Sequence, residues 1–132
     1  MGVTKKKNYT HKHLIQVPIY RVKFEMVLTN DFKYVREYLE DDAFVYATTY
    51  DRMIDGVKHI IIALNLGHTS NITHGVIAHE AVHAAIYTLD CIGEPINANN
   101  QESCAYLQEW FVDQVYLFLE SKKLIHKISI RR

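Results

Sequence analysis

The sequence predicts an α+β fold, and three observations carry that expectation. Residues 18–28, "PIYRVKFEMVL", alternate between apolar and polar with a period of two. Asp55-Gly56 lies between two stretches rich in β-branched and aromatic residues. Everything after Gly67 reads as two long helical patterns separated by one connection. Strands first and long helices last describe a sheet with helices gathered on it. At 132 residues the chain is expected to form one domain with a single modest core.

Taken in order, residues 1–13 are polar and basic, and a loose tail is expected there. In 18–28, Tyr20, Val22, Phe24, Met26 and Leu28 share one face, with Arg21, Lys23 and Glu25 on the other. That is a strand with one side buried. In "NDFKYVREYLEDD" (30–42), Phe32, Val35, Tyr38 and Leu39 recur at helical spacing and Asn30 can cap the start, so a short amphipathic helix is expected. "AFVYATTY" (43–50) reads as a strand. "HIIIALNL" (59–66) reads as a second strand, apolar on both sides. Asp55-Gly56 makes the two a hairpin with a tight turn. "GHTSN" is a loop, with Ser70 or Asn71 as cap of a buried helix from Ile72 to about Leu89. "DCIGEPINANN" (90–100) is a connection. Asn99 or Asn100 caps a last helix, "QESCAYLQEWFVDQVYLFLES". The expected order is β-α-β-β-α-α.

Bulk properties exclude several functions. Hydrophobic residues make up 48% and charged residues 23%, the balance of a globular protein without a membrane span. Lys+Arg and Asp+Glu both number 15, so no global field argues for a nucleic acid or a membrane surface as partner. Basic residues gather at 5–13 and 122–132, and both runs are expected to be solvated tails. Two cysteines, Cys91 and Cys104, make no disulfide framework. Free thiols suit a reducing compartment, hence the cytoplasm.

The chemistry concentrates in "HGVIAHEAVHAAIYTLD" (74–90), which contains H-E-x-x-H at His79, Glu80 and His83. Residues four apart on a helix lie one above the other, so His79 and His83 offer two imidazoles to one point. Neutral imidazole is a good zinc ligand. Glu80 is turned about 100° from His79. It is poorly placed as a ligand of the same ion and well placed as a general base toward a water. Two histidines could instead be ordinary core or surface residues. Against that, the motif lies inside a helical segment, and Gly75, Ala78, Ala81, Ala84 and Ala85 leave little bulk around it.

A catalytic zinc takes three protein ligands and keeps one position open. His74 is five residues from His79 and points away from the ligand face. Glu102, in the first turn of the last helix and 19 residues after His83, is the choice for third ligand. The alternatives are Cys104, which faces roughly opposite to Glu102, and Glu109, two turns further on. Tyr106 is one turn beyond Glu102 on the same face. Its hydroxyl can bond a ligand or stabilise an oxyanion, or its ring can simply belong to the core.

HEAVH followed by "NQESCAY" (100–106) resembles the gluzincin branch of the zincin metallopeptidases, in which two histidines come from one helix and a glutamate from the next. The small size and element order are similar to the minimal minigluzincin type and to small metallopeptidase-like proteins encoded by phages and prophages. The resemblance covers roughly residues 57–112. Asn100 and Gln101 depart from it: many members place Asn immediately before the glutamate. It implies a minimal zincin-like fold with a small, mainly antiparallel sheet on the two helices. It implies one zinc ion per chain on His79, His83 and Glu102, with Glu80 as general base. It also implies a peptide or protein substrate pairing along strand 59–67. The oxyanion donor of that family is often a Tyr, His or Arg; Tyr106, Tyr87 and His74 are the candidates here.

Three other readings compete. One is a phage regulatory or binding protein on the same fold, acting on one specific partner. Another is a zinc amide hydrolase that is not a peptidase, of the deformylase kind; that kind takes a cysteine upstream of the motif, and no cysteine precedes His79. The last is a structural metal site, which would use four protein ligands.

Overall fold

The computed structural model describes residues 7–31, 46–67 and 72–130. Within them the chain is α+β: a four-stranded mixed sheet carries two long helices. The strands are β1 (Thr10–Gln16), β2 (Val22–Thr29), β3 (Ala47–Ile54) and β4 (Val57–Asn65). The helices are α1 (His74–Cys91) and α2 (Gln101–Ser121), followed by a short 3-10 turn at Ile125–Lys127. The helix expected at 30–42 falls almost wholly outside the described residues.

The sheet order is β1-β2-β4-β3. β1–β2 and β3–β4 are antiparallel and β2–β4 is parallel. At the hairpin between β3 and β4, Asp55 and Gly56 both have positive φ, 51° and 77°. Two consecutive left-handed residues make the primed turn whose twist matches a hairpin. Because the turn takes only two residues, pairing runs out to Ile54 and Val57, four residues beyond the strand end expected at Tyr50.

Two sequence expectations are corrected at the termini. Residues 10–13, expected in a loose tail, belong to β1, which pairs with β2 along its whole length. Its side chains are mostly exposed, so backbone hydrogen bonds hold it and no buried periodicity marks it. Asn30, expected as a helix cap, accepts from the Tyr9 N–H (2.8 Å) and donates to the Lys7 carbonyl (3.0 Å); the helix that it would cap lies outside the described residues. The basic C-terminal run also folds back. Ile128 joins the core, and Ser129 bridges to Thr73, donating to the Ile72 carbonyl (3.1 Å) and accepting from the His74 N–H (3.0 Å).

A third correction concerns β4. It lies between β2 and β3, so both backbone edges are used and no peptide can pair with it as expected for 59–67. Its burial on both faces from Ile60 to Asn65 fits that interior place. β3 is the end strand beside α1.

The core lies between one sheet face and both helices. Val22, Phe24, Met26 and Leu28 of β2 and Ile60, Ile62 and Leu64 of β4 meet Ile77, Ala81, Ala84, Ala85 and Leu89 of α1 and Leu107, Phe111, Val115 and Leu119 of α2. Phe111 sits edge-on to Phe24 at 4.7 Å between centroids. α1 packs over β3 and β4, α2 over β2, and the helices pack on each other. Among the described residues no helix is long and apolar enough to cross a membrane.

Candidate metal centre

Thr73 caps α1, its hydroxyl accepting from the Val76 N–H at 3.1 Å. The cap expected at Ser70 or Asn71 lies outside the described residues. From this start the helix turns Ile77, Ala81, Ala84, Ala85, Thr88 and Leu89 toward the core. His79 and His83 fall on the opposite face, His79 exposed and His83 half-buried. The fully buried alanines let the helix lie close on the sheet, as their small size predicts.

The Nε2 atoms of His79 and His83 stand 3.2 Å apart. Two nitrogens at tetrahedral positions around a zinc, each about 2.0–2.1 Å from it, are separated by about 3.3 Å. The pair therefore already has the spacing of two zinc ligands. The same contact also serves as a hydrogen bond between one protonated and one bare ring nitrogen. Imidazole nitrogens facing one another on the outer surface of a helix are a donor set that suits zinc.

Glu80 turns the other way, toward β3, and is only 7% exposed. Register explains what it meets. Thr49 pairs with Ile62 and Asp51 with Ile60, so both project from the face on which α1 lies. The Thr49 hydroxyl lies 2.9 Å from Glu80 Oε2 and 3.1 Å from the Glu80 carbonyl oxygen. Thr49 is the residue that sequence reading missed. Its place in "AFVYATTY" marked it as strand, but which threonine faces the helix depends on pairing with β4.

A second polar tie holds the hairpin to α1. Lys58 bonds Asp51 (3.1 Å) and Asp90 (3.7 Å) and donates to the Tyr87 carbonyl (3.3 Å). Loss of solvent lowers the Lys58 pKa, but the Asp51 hydrogen bond and the charges of Asp51 and Asp90 outweigh it, and the net shift is upward.

Glu102 lies in the first turn of α2, exposed, on the helix beside the histidines. Among the described residues no three His, Cys, Asp or Glu side chains come together as a metal-holding group, so Glu102 is not drawn up to the histidine pair. Asn100 occupies the N-cap position without a side-chain cap bond. Its side chain instead bonds the Asn97 N–H and the Pro95 carbonyl, holding the connection. Gln108 of α2 donates to the Ala78 carbonyl at 3.0 Å, next to His79. Cys104 is buried in the core, and burial pushes its thiol pKa up, which disfavours the thiolate that a metal needs.

Tyr106 is 67% exposed and borders a shallow apolar groove with Pro18, Ile19, Tyr20, Leu107 and Trp110. Neither histidine lines that groove. His74 is bonded to and stacked on Tyr116, whose hydroxyl pKa burial pushes up. Tyr87 is half-buried. Comparison with protein-family models, with curated proteins and with solved structures finds no match to this chain.

Proposed function

We propose that the chain is a zinc-dependent metallopeptidase of the zincin type. The observation that carries the reading is the 3.2 Å approach of His79 Nε2 and His83 Nε2 on one helix face, with the carboxylate of Glu80 next to them in sequence. His79, His83 and Glu102 would hold one zinc ion per chain. When bound, zinc supplies Lewis acidity, bringing the pKa of a water toward neutrality and polarising a carbonyl.

The chain's own residues divide the remaining work. Glu80 accepts the proton from the attacking water and returns it to the leaving amine. Its burial against Thr49 holds Oε2 and leaves only a small part of the side chain open to solvent. Tyr106 supplies a hydroxyl to the developing oxyanion in this reading, and its ring has to turn from the groove beside Pro18 to do so. The substrate is an extended peptide pairing with β3, since β4 is occupied on both sides. Two free cysteines, one exposed and one buried, fit a cytoplasmic setting.

The test is hydrolysis of an unfolded protein substrate by zinc-loaded protein, with and without a chelator. Chelator-sensitive cleavage that Glu80→Gln abolishes is the expected result. Cleavage indifferent to both would overturn the reading.

A further inference from the structure

We infer that Thr49 is the positioning residue of Glu80: it anchors Oε2 and leaves Oε1 as the oxygen for proton transfer. The catalytic consequence rests on the peptidase reading; the anchor itself does not.

Glutamate has three rotatable bonds, and a general base must be held within hydrogen-bond reach of one proton. Glu80 is 7% exposed, and an unpartnered carboxylate at that depth is costly. Among the described residues its side chain accepts from Thr49 alone. No buried side-chain oxygen among them lacks a partner, so Oε1 is the oxygen that reaches solvent. Thr49 is well suited as an anchor. It is β-branched and stiff at χ1, and it sits within the β3–β4 ladder opposite Ile62. Its one hydroxyl hydrogen has two acceptors, Glu80 Oε2 and the Glu80 carbonyl oxygen. Both belong to the same residue, so either bond ties α1 to β3 at the place where the carboxylate must be aimed.

The closing experiment uses Thr49→Val, which keeps the shape and removes the donor, and Thr49→Ser, which keeps the donor. The infrared carboxylate band of Glu80 is isolated by subtracting the spectrum of Glu80→Gln protein. Each Thr49 variant is paired with the same subtraction, and zinc content is measured alongside. Expected are a displaced Glu80 band in Thr49→Val, its return in Thr49→Ser, and unchanged zinc in both. In hydrolysis, kcat should fall roughly 10- to 100-fold in Thr49→Val at unchanged KM and recover in Thr49→Ser. An unmoved band in folded Thr49→Val overturns the anchor, whatever the activity. A moved band in Thr49→Val, together with a wild-type protein that cleaves nothing, upholds the anchor and discards the peptidase reading.

Discussion

His79 and His83 present Nε2 to Nε2 at 3.2 Å from the outer face of α1, while Glu80 between them dips 7% exposed toward β3. One helical turn thus sends its polar side chains in two directions: the imidazoles outward, the carboxylate sideways toward β3. The separation follows from the 100° step between neighbouring residues.

That division predicts unlike effects for neighbouring substitutions. Glu80→Gln should keep zinc and lose hydrolysis by about 10²–10⁴-fold, the range of general-base contributions. Metal analysis beside a steady-state assay checks it. Loss of zinc from folded Glu80→Gln protein would make Glu80 a ligand instead.

Lys58 should matter to stability over a defined pH range. Its side chain is 12% exposed, whereas Asp51 and Asp90 are 34% and 78% exposed, so the tie is only partly shielded from water. Lys58→Met should cost about 1–2 kcal/mol at neutral pH. Because the folded pKa of Lys58 is raised, this contribution is fully present below the unfolded pKa of about 10.4 and fades as pH rises through the folded value. Denaturant unfolding at pH 7 and at pH 11 should show the gap between wild type and variant narrowing at the higher pH. A gap that widens there would refute the assignment.

The two thiols should separate cleanly. Cys91 is exposed at the end of α1, whereas Cys104 is buried in the core with its pKa raised. A disulfide reagent should titrate one thiol in the native protein and two in denaturant. Rapid reaction of both would place Cys104 outside the core and reopen it as a ligand.

Phe111 is fully buried and edge-on to Phe24, where α2 meets the sheet. Phe111→Ala should destabilise by about 3–5 kcal/mol, measured by denaturant unfolding. A loss below about 1 kcal/mol would mean that α2 is not docked through this residue.

The legible parts of this chain are those that local periodicity or a short motif encodes. The α+β class, the Asp55-Gly56 turn and both long helices are visible because spacing and turn chemistry are local. The histidine pair is visible because i and i+4 on a helix must meet. What stayed hidden is non-local. β1 exposes most of its side chains, so nothing in its pattern shows that its backbone pairs with β2. The resemblance alone implied that β4 pairs with substrate, yet its apolar run on both faces reflects an interior position set by the parallel pairing with β2. Thr49 became visible only through register with Ile62. Tyr106 shares a helix face with Glu102 in sequence, but its ring lies with Pro18 and Tyr20, which no spacing rule connects to it.

The most direct measurement is the zinc content of purified wild-type protein beside His83→Ala and Glu102→Ala. Expected are one zinc per wild-type chain, none retained by His83→Ala, and weakened retention by Glu102→Ala. Stoichiometric zinc in the His83→Ala protein would contradict the ligand assignment.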